Sequence, residues 1–215
     1  MKLSGDYHGE GYALLQGLIT PATARELLGA VKASLDEVST AAQDHMLDAA
    51  VLKRPTYAAY GPNHRVLSGF HWGLTPAVAD LVQRELAPTY SYFRVYRGGD
   101  VCLVHSDREA CEHSLSLTLG YSDGKPWPLD LSRRRLQGVE KTSADFGEDE
   151  YSAVSMNVGD AVLYQGIRYR HGRVTPNPNR WSAHIFLHWV DASGLFAGEA
   201  FARAPTRQAV DFDLA

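Results

Sequence analysis

Residues 101–107 (VCLVHSD) end an apolar run with a histidine and an aspartate that are two positions apart. In a β-strand, side chains at positions i and i+2 leave the same face, so His105 and Asp107 are expected to point into the same space. An imidazole and a carboxylate held in this way are two of the three protein ligands of a facial metal site. Because an isolated His-x-Asp pair is common by chance, a metal site also requires a second, distant histidine.

His171 is predicted to be that second histidine, since it follows the apolar stretch of residues 159–164. Arg180 lies nine residues later (180 − 171) and begins an apolar, aromatic strand in which Ser182 shares its side. Two imidazoles and one carboxylate on one face of an octahedral ion leave three open positions, an arrangement that is typical of Fe(II) sites for oxygen chemistry.

This order of residues resembles the 2-oxoglutarate/Fe(II)-dependent oxygenases, in particular their prolyl-hydroxylase-like branch. In that branch, the strand before the first ligand carries a tyrosine and a glycine at the positions of Tyr96 and Gly99. The resemblance covers about residues 89–190. The sequence departs from the branch at Cys102, where a tyrosine is common.

The resemblance implies a ferrous site whose ligands are His105, Asp107 and His171. It also implies that 2-oxoglutarate and O2 are co-substrates. Arg180 would then bind the far carboxylate of 2-oxoglutarate through two parallel hydrogen bonds, and Ser182 and Tyr96 would assist it. The expected activity is that of a dioxygenase that hydroxylates an unactivated C–H bond.

A small molecule such as a free amino acid is the expected substrate. Arg108 and Glu109 follow the ligand strand directly and could bind the carboxylate and the amine of an amino acid, although solvent-exposed charges are an equal alternative. A peptidyl residue on a partner protein is an alternative substrate. Two other classes of protein also stay open, a non-catalytic cupin-like metal-binding module and a zinc hydrolase with the same three ligands.

The pattern of the chain predicts a mainly β fold with flanking helices around a double-stranded β-helix (jelly-roll, cupin-like) core. A length of 215 residues fits one domain. We expect a helical N-terminal support over residues 1–88, the core over 89–190 and a C-terminal tail over 191–215. Two helices are predicted to begin at Thr20-Pro21 and Thr75-Pro76, with Pro88 ending the second.

Composition limits the class of protein. A formal net charge of −4 argues against a nucleic-acid partner, which usually requires a basic surface. A hydrophobic content of 45% with no long apolar run, and no apolar stretch near Met1, predict neither a membrane span nor a secretory signal. Two cysteines do not suggest a disulfide framework. The sequence therefore predicts a cytoplasmic protein without a membrane partner.

Overall fold

Two antiparallel β-sheets form the body of the structure, a computed structural model that describes residues 1–38, 46–47, 49–61, 64–138 and 140–201. The larger sheet has the spatial order β1 (Lys2–Asp6), β2 (Tyr12–Gln16), β10 (Ala161–Tyr164), β7 (His113–Tyr121), β12 (Trp181–Asp191), β5 (Leu86–Arg97), β4 (Thr56–Tyr60) and β3 (Met46–Leu47). The smaller sheet has the order β6 (Cys102–His105), β11 (Tyr169–Arg173), β8 (Leu129–Arg135) and β9 (Tyr151–Val154).

The chain passes back and forth between the two sheets. From β5 onward, β5, β7, β10 and β12 lie in the larger sheet, and β6, β8, β9 and β11 lie in the smaller one. This alternation gives the two four-stranded layers of a double-stranded β-helix, so the predicted fold class is confirmed.

Side chains along β7 point alternately to the apolar core under the helices and to the polar space between the two sheets. Leu115 and Leu117 are fully buried in a cluster that also contains Ala24 and Val31 of α1 (Pro21–Val38), so these leucines face the helical layer. Ser114 leaves the opposite face, and its hydroxyl contacts Asp107 between the sheets. The period of two that the sequence shows over residues 113–119 therefore sorts core side chains from site side chains.

The two helices pack on the larger sheet, and one of them begins where it was predicted. Thr20 caps α1, since its hydroxyl accepts from the N–H of Thr23 at 3.0 Å. The second helix, α2 (Arg65–Val82), begins ten residues before the predicted Thr75-Pro76 start and contains Pro76 in its interior. Burial of both halves of α2, for example at Leu67 and Val78, outweighs the one hydrogen bond that a proline removes.

The ends of the chain differ in part from the expected layout. Residues 1–88, predicted as a helical support, also supply β1 to β4 and the start of β5, so Pro88 lies in a strand rather than at a helix end. Residues 202–215 of the predicted tail lie outside the described residues. None of the helices that the structure describes is long and apolar enough to cross a membrane.

Candidate metal centre

β6 and β11 bring the two predicted histidines together. These strands are antiparallel neighbours, and His171 pairs directly with His105 in their register. The centroids of the two imidazole rings lie 4.5 Å apart. Asp107 follows the end of β6, and its backbone N–H donates to the carbonyl of Gly166 at 2.9 Å. One pair of strands and the turn before β11 therefore position all three predicted ligands.

Backbone carbonyls determine which imidazole nitrogens are free. Nδ1 of His105 lies 2.7 Å from the carbonyl oxygen of Leu103, and Nδ1 of His171 lies 3.1 Å from that of Tyr169. Since a carbonyl only accepts, each Nδ1 carries the hydrogen, and in a neutral ring each Nε2 keeps its lone pair. The two Nε2 atoms lie 3.6 Å and 3.4 Å from Oδ1 of Asp107. The three groups could hold a metal ion, because their donor atoms lie within 4.8 Å of one another.

The second carboxylate oxygen of Asp107 has its own partner. Ser114 donates to Oδ2 of Asp107 at 3.2 Å, and the same hydroxyl lies 2.9 Å from Nδ1 of His188. Asp107, Cys111 and His188 also have donor atoms within 4.8 Å of one another, but this set shares Asp107, and Ser114 bonds both Asp107 and His188. We therefore interpret His188 as a residue that supports Asp107 through Ser114 rather than as a metal ligand.

The charges of the triad suit a divalent cation. Burial disfavours the ionised form of Asp107, but attraction to a protonated His171, which can also donate to the carboxylate, holds the pKa of Asp107 well below its usual value. Burial also disfavours a charged His171, and the attraction to Asp107 nevertheless raises the pKa of His171. The carboxylate is therefore ionised at neutral pH, which is the form that a metal requires.

The triad opens into a cavity of about 260 Å³ between the two sheets. Tyr96, predicted to contact the co-substrate, lines this cavity, and so do Arg94 and Arg173. Arg94 is only 5% exposed, its Nε has no hydrogen-bond partner, and no carboxylate of the described residues lies within 4 Å of it. The hydroxyl of Tyr96 accepts from Arg94 at 3.3 Å. The cavity thus contains a buried cation without a counter-ion.

Arg180 does not lie in this cavity, so its predicted position is wrong. Its side chain is 80% exposed, and its Nε donates to Oδ1 of Asp123 at 3.3 Å. The backbone N–H of Arg180 also donates to Asp123, at 2.8 Å. Asp123 belongs to the turn after β7 and holds Arg180 at the outer end of β12. A competing ion pair, which the spacing of the motif does not reveal, explains the difference.

Ser182 does not line the cavity either. It is fully buried, and its hydroxyl lies 3.1 Å from Nδ2 of Asn177, which donates to it. The structure therefore does not place this hydroxyl beside the cavity, and its expected contact with a carboxylate stays a prediction. Phe186, which leaves the same face of β12 as Ser182, does line the cavity.

The two predicted substrate residues separate. Arg108 lines the metal cavity, and its guanidinium lies 4.5 Å from the ring centroid of Tyr90. Glu109 lines only a neighbouring depression, which shares Asp107 and Arg108 with the metal cavity and also contains Glu199. Of the two residues, only Arg108 therefore lines the cavity that contains all three predicted ligands.

Arg94 and Arg173 are two buried cations of the cavity that were not predicted from the sequence. Tyr90, Tyr92, Arg94 and Tyr96 alternate along β5, and all four line the cavity. The sequence did contain a signal for Arg94: it occupies the third of four alternate positions that are otherwise tyrosines. A charged side chain on such a buried strand face requires a partner, which indicates a binding site.

Comparison with solved structures identifies similar folds. The non-heme alpha ketoglutarate dependent carbocyclase SnoK from nogalamycin biosynthesis aligns with a TM-score of 0.69 at 12% identity, covering 86% of this chain and 81% of SnoK. HygX from Streptomyces hygroscopicus, with nickel and 2-oxoglutarate bound, aligns with a TM-score of 0.62 at 11% identity, covering 87% and 85%.

A prolyl-4-hydroxylase from Pseudomonas putida aligns with a TM-score of 0.57 at 13% identity, covering 85% of this chain and 95% of the hydroxylase. No protein-family model matches the sequence. No curated protein matches it either. At these identities the likeness concerns the fold alone, and this chain shares its double-stranded β-helix fold with SnoK, HygX and the prolyl-4-hydroxylase.

Proposed function

We propose that the protein is a non-heme Fe(II)/2-oxoglutarate-dependent dioxygenase that hydroxylates an unactivated C–H bond of a small molecule. One observation carries the proposal: the donor atoms of His105, Asp107 and His171 share a cavity with the guanidinium of Arg94, which has no carboxylate partner among the described residues. A metal-binding module needs only the donor atoms. The buried cation indicates that an anion also binds in the cavity.

The donor set fits ferrous iron. Two neutral imidazole nitrogens and one carboxylate leave three positions of an octahedral ion open, enough for a bidentate keto acid and O2. Iron with 2-oxoglutarate supplies the oxidation, in which 2-oxoglutarate, O2 and a C–H bond give succinate, CO2 and an alcohol. The chain itself holds the donor atoms in place, through the carbonyls of Leu103 and Tyr169 and the hydroxyl of Ser114.

Arg94 is proposed to bind the far carboxylate of 2-oxoglutarate in place of Arg180. A guanidinium offers parallel donors that match a carboxylate, and the unpartnered Nε of Arg94 is one such donor. Arg173 lies on the same cavity with an unpartnered Nη2 and could add a second contact. Tyr96, whose hydroxyl bonds Arg94, would hold the guanidinium in place.

The similar structures agree with this proposal. HygX contains nickel and 2-oxoglutarate, and SnoK is an alpha ketoglutarate dependent enzyme. A cavity of about 260 Å³ suits a small molecule beside 2-oxoglutarate better than a folded partner. A zinc hydrolase with the same ligands would have no use for a buried guanidinium beside the metal.

Anaerobic titration of the protein with Fe(II) and 2-oxoglutarate tests the proposal. We expect a visible charge-transfer band from the chelate, and its absence with iron bound would contradict the function. Arg94→Gln should raise the Kd of 2-oxoglutarate by about 10- to 150-fold, since a hydrogen bond between charged groups contributes about 1.5–3 kcal/mol. Iron binding should persist in this variant.

Arg180→Gln is the matched control for Arg94→Gln. Its side chain is exposed and bonds Asp123, so the Kd of 2-oxoglutarate should stay within about twofold of the wild-type value. The opposite pattern, a large effect at Arg180 and none at Arg94, would return the carboxylate site to the position that the sequence motif predicts.

A further inference from the structure

Aromatic rings form one wall of the metal cavity. The rings of Tyr90 and Tyr92 are stacked with centroids 6.2 Å apart, and Tyr92 stacks on Phe186 at 4.7 Å. Tyr60 lies 5.7 Å from Tyr92 and is 40% exposed, so it lies at the mouth of the cavity. These four rings, here called the aromatic wall, run from the mouth towards the interior. Such a surface binds flat rings by stacking.

The charges around the cavity favour an anion. Three guanidinium groups line it, from Arg94, Arg108 and Arg173, against the single carboxylate of Asp107. A ferrous ion and the dianion of 2-oxoglutarate cancel each other, so the proposed complex retains this excess of positive charge. Glu199, 4.0 Å from Arg108, offsets one unit of it and leaves another. An uncompensated charge in a partly buried site is costly, and an anionic ligand removes that cost.

A cation does not suit the same wall, although aromatic rings often bind cations. The guanidinium of Arg94 already lies 4.8 Å from the centroid of Tyr92, and that of Arg108 lies 4.5 Å from the centroid of Tyr90. An ammonium group beside these rings would meet two like charges. The wall therefore selects a neutral ring rather than an amine.

Arg108 is the cation that remains for the substrate. Arg94 lies deep in the cavity, where 2-oxoglutarate would use it, whereas the side chain of Arg108 is 60% exposed at the mouth. No carboxylate of the described residues lies closer to Arg108 than Glu199, at 4.0 Å. Because Arg108 already covers one face of Tyr90, a carboxylate held by Arg108 would bring an attached ring beside the exposed ring of Tyr60.

We propose that the substrate is a carboxylic acid with an aromatic or similarly flat ring, bound with its ring on the aromatic wall and its carboxylate at Arg108. This inference rests on the proposed function, since iron and 2-oxoglutarate complete the charge balance. It differs from the free amino acid that the sequence suggested. Asp107 is the one carboxylate among the described residues that line this cavity, and it faces the histidines, whereas Glu109, Glu140 and Glu199 line the neighbouring depression. An ammonium group on the aromatic wall itself would therefore lack a partner.

Binding to the Fe(II)/2-oxoglutarate complex tests the proposal without turnover. Under anaerobic conditions, the visible band is followed during titration with benzoate, phenylacetate, 3-phenylpropanoate and 2-naphthoate, each beside its neutral amide. Hexanoate and phenylalanine test the need for a ring and the effect of an amine. At least one aromatic acid should bind 10-fold or more tightly than its amide and than hexanoate. If no acid exceeds its amide, or if hexanoate or phenylalanine binds as tightly, the proposal is wrong.

Variants assign the contacts. Arg108→Gln should weaken binding of the preferred acid at least 10-fold and leave the Kd of its amide unchanged. Tyr60→Leu should weaken acid and amide alike. Arg133→Gln is the control, because Arg133 is a similarly exposed arginine on β8 that does not line the cavity. Equal effects of Arg108→Gln and Arg133→Gln would contradict the role of Arg108.

The two proposals can fail separately. If the wild-type band with 2-oxoglutarate never forms, the proposed function fails and the substrate class fails with it. If the band forms but no acid is preferred, only the substrate class is wrong. The same band in Arg108→Gln shows whether that variant keeps an intact metal site.

Discussion

At the scale of single residues, hydrogen bonds select the atoms that face the metal position. His105 and His171 each donate Nδ1–H to a carbonyl two residues earlier on their own strand, which leaves both Nε2 atoms free. Ser114 occupies Oδ2 of Asp107, so Oδ1 faces the imidazoles. Three hydrogen bonds within the protein therefore orient all three donor atoms before any metal binds.

Replacing Ser114 tests this orientation. Burial lowers the pKa of His188 to about 4, so His188 is neutral at pH 7 and its Nδ1–H can donate to Ser114, whose own hydrogen then points to Asp107. In Ser114→Ala, Asp107 loses this partner, and the Kd of Fe(II) should rise by about 10- to 100-fold. Anaerobic calorimetry measures this Kd.

Ser116→Ala provides a matched control for Ser114→Ala. Ser116 also lies on β7 and is fully buried, but its hydroxyl has no hydrogen-bond partner. Its removal should leave the Kd of Fe(II) unchanged. If both variants weaken metal binding equally, packing around β7 rather than the contact with Asp107 would be responsible.

The sequence could reveal the ligands but not the anion site. His105 and Asp107 share a strand, so their common face follows from local geometry alone. Whether Arg94 faces the interior depends on how β5 pairs with β12, where Arg94 lies opposite His184. The position of Arg180 depends on Asp123, 57 residues away in the chain. Such non-local contacts are visible only in the folded chain.

At the scale of elements, the turn between β10 and β11 passes directly against the metal site. The carbonyl of Gly166 accepts from the N–H of Asp107 at 2.9 Å. A Cβ atom at this position would overlap the carboxylate of Asp107 and would lie 2.9 Å from the carbonyl oxygen of Cys111. The close approach of turn and ligand therefore requires a residue without a side chain.

Gly166→Ala should disturb the metal site through this turn. Overpacking of this kind destabilises a protein by about 1–3 kcal/mol, and here it would also displace Asp107. The Kd of Fe(II) should rise at least 10-fold, and the midpoint of urea unfolding should fall. Gly138→Ala is the control, since a Cβ at Gly138 meets nothing within 4 Å. Unchanged metal binding in Gly166→Ala would show that the turn can move away from the ligand.

The two helices show where the local sequence pattern predicts a helix start and where it does not. The strands and α1 follow their hydrophobic periods, and Thr20 caps α1 as predicted. The start of α2 was missed because Pro76 looks like the first residue of a helix. In the structure, Pro76 lies inside α2, and the hydroxyl of Thr75 donates to the carbonyl of His71 at 2.9 Å. Burial of α2 against the sheet determines where this helix begins, and the local sequence does not indicate that burial.

At the scale of the whole molecule, neutral histidines link stability to pH. Burial lowers the pKa of four histidines far below 6.5, to about 3 in one, to about 4 in two and well below the usual value in the fourth. They are His71, His113, His188 and His184 respectively. In the unfolded chain these residues bind protons below about pH 6.5, whereas in the folded chain they do not.

The free energy of unfolding should therefore fall as the pH drops below about 6.5. Each buried histidine contributes a slope of about 1.4 kcal/mol per pH unit between its unfolded and folded pKa, so the three with folded values near 3 or 4 give about 4 kcal/mol per unit. The lowered pKa of Asp107 acts in the same direction, and the raised pKa of His171 opposes it. A typical domain has only about 5–15 kcal/mol of stability, so the chain should unfold before pH 4.

Urea unfolding at several pH values between 7 and 5, with EDTA to exclude metal, measures this slope. His71→Gln should reduce the slope by about 1.4 kcal/mol per pH unit. His71 is suited to the test because it lies against Trp189, with ring centroids 4.6 Å apart, and does not line the metal cavity. His8→Gln, at an exposed position, should leave the slope unchanged. An equal slope in wild type and His71→Gln would mean that buried His71 accepts a proton without unfolding the chain, and that acid sensitivity arises elsewhere in the molecule.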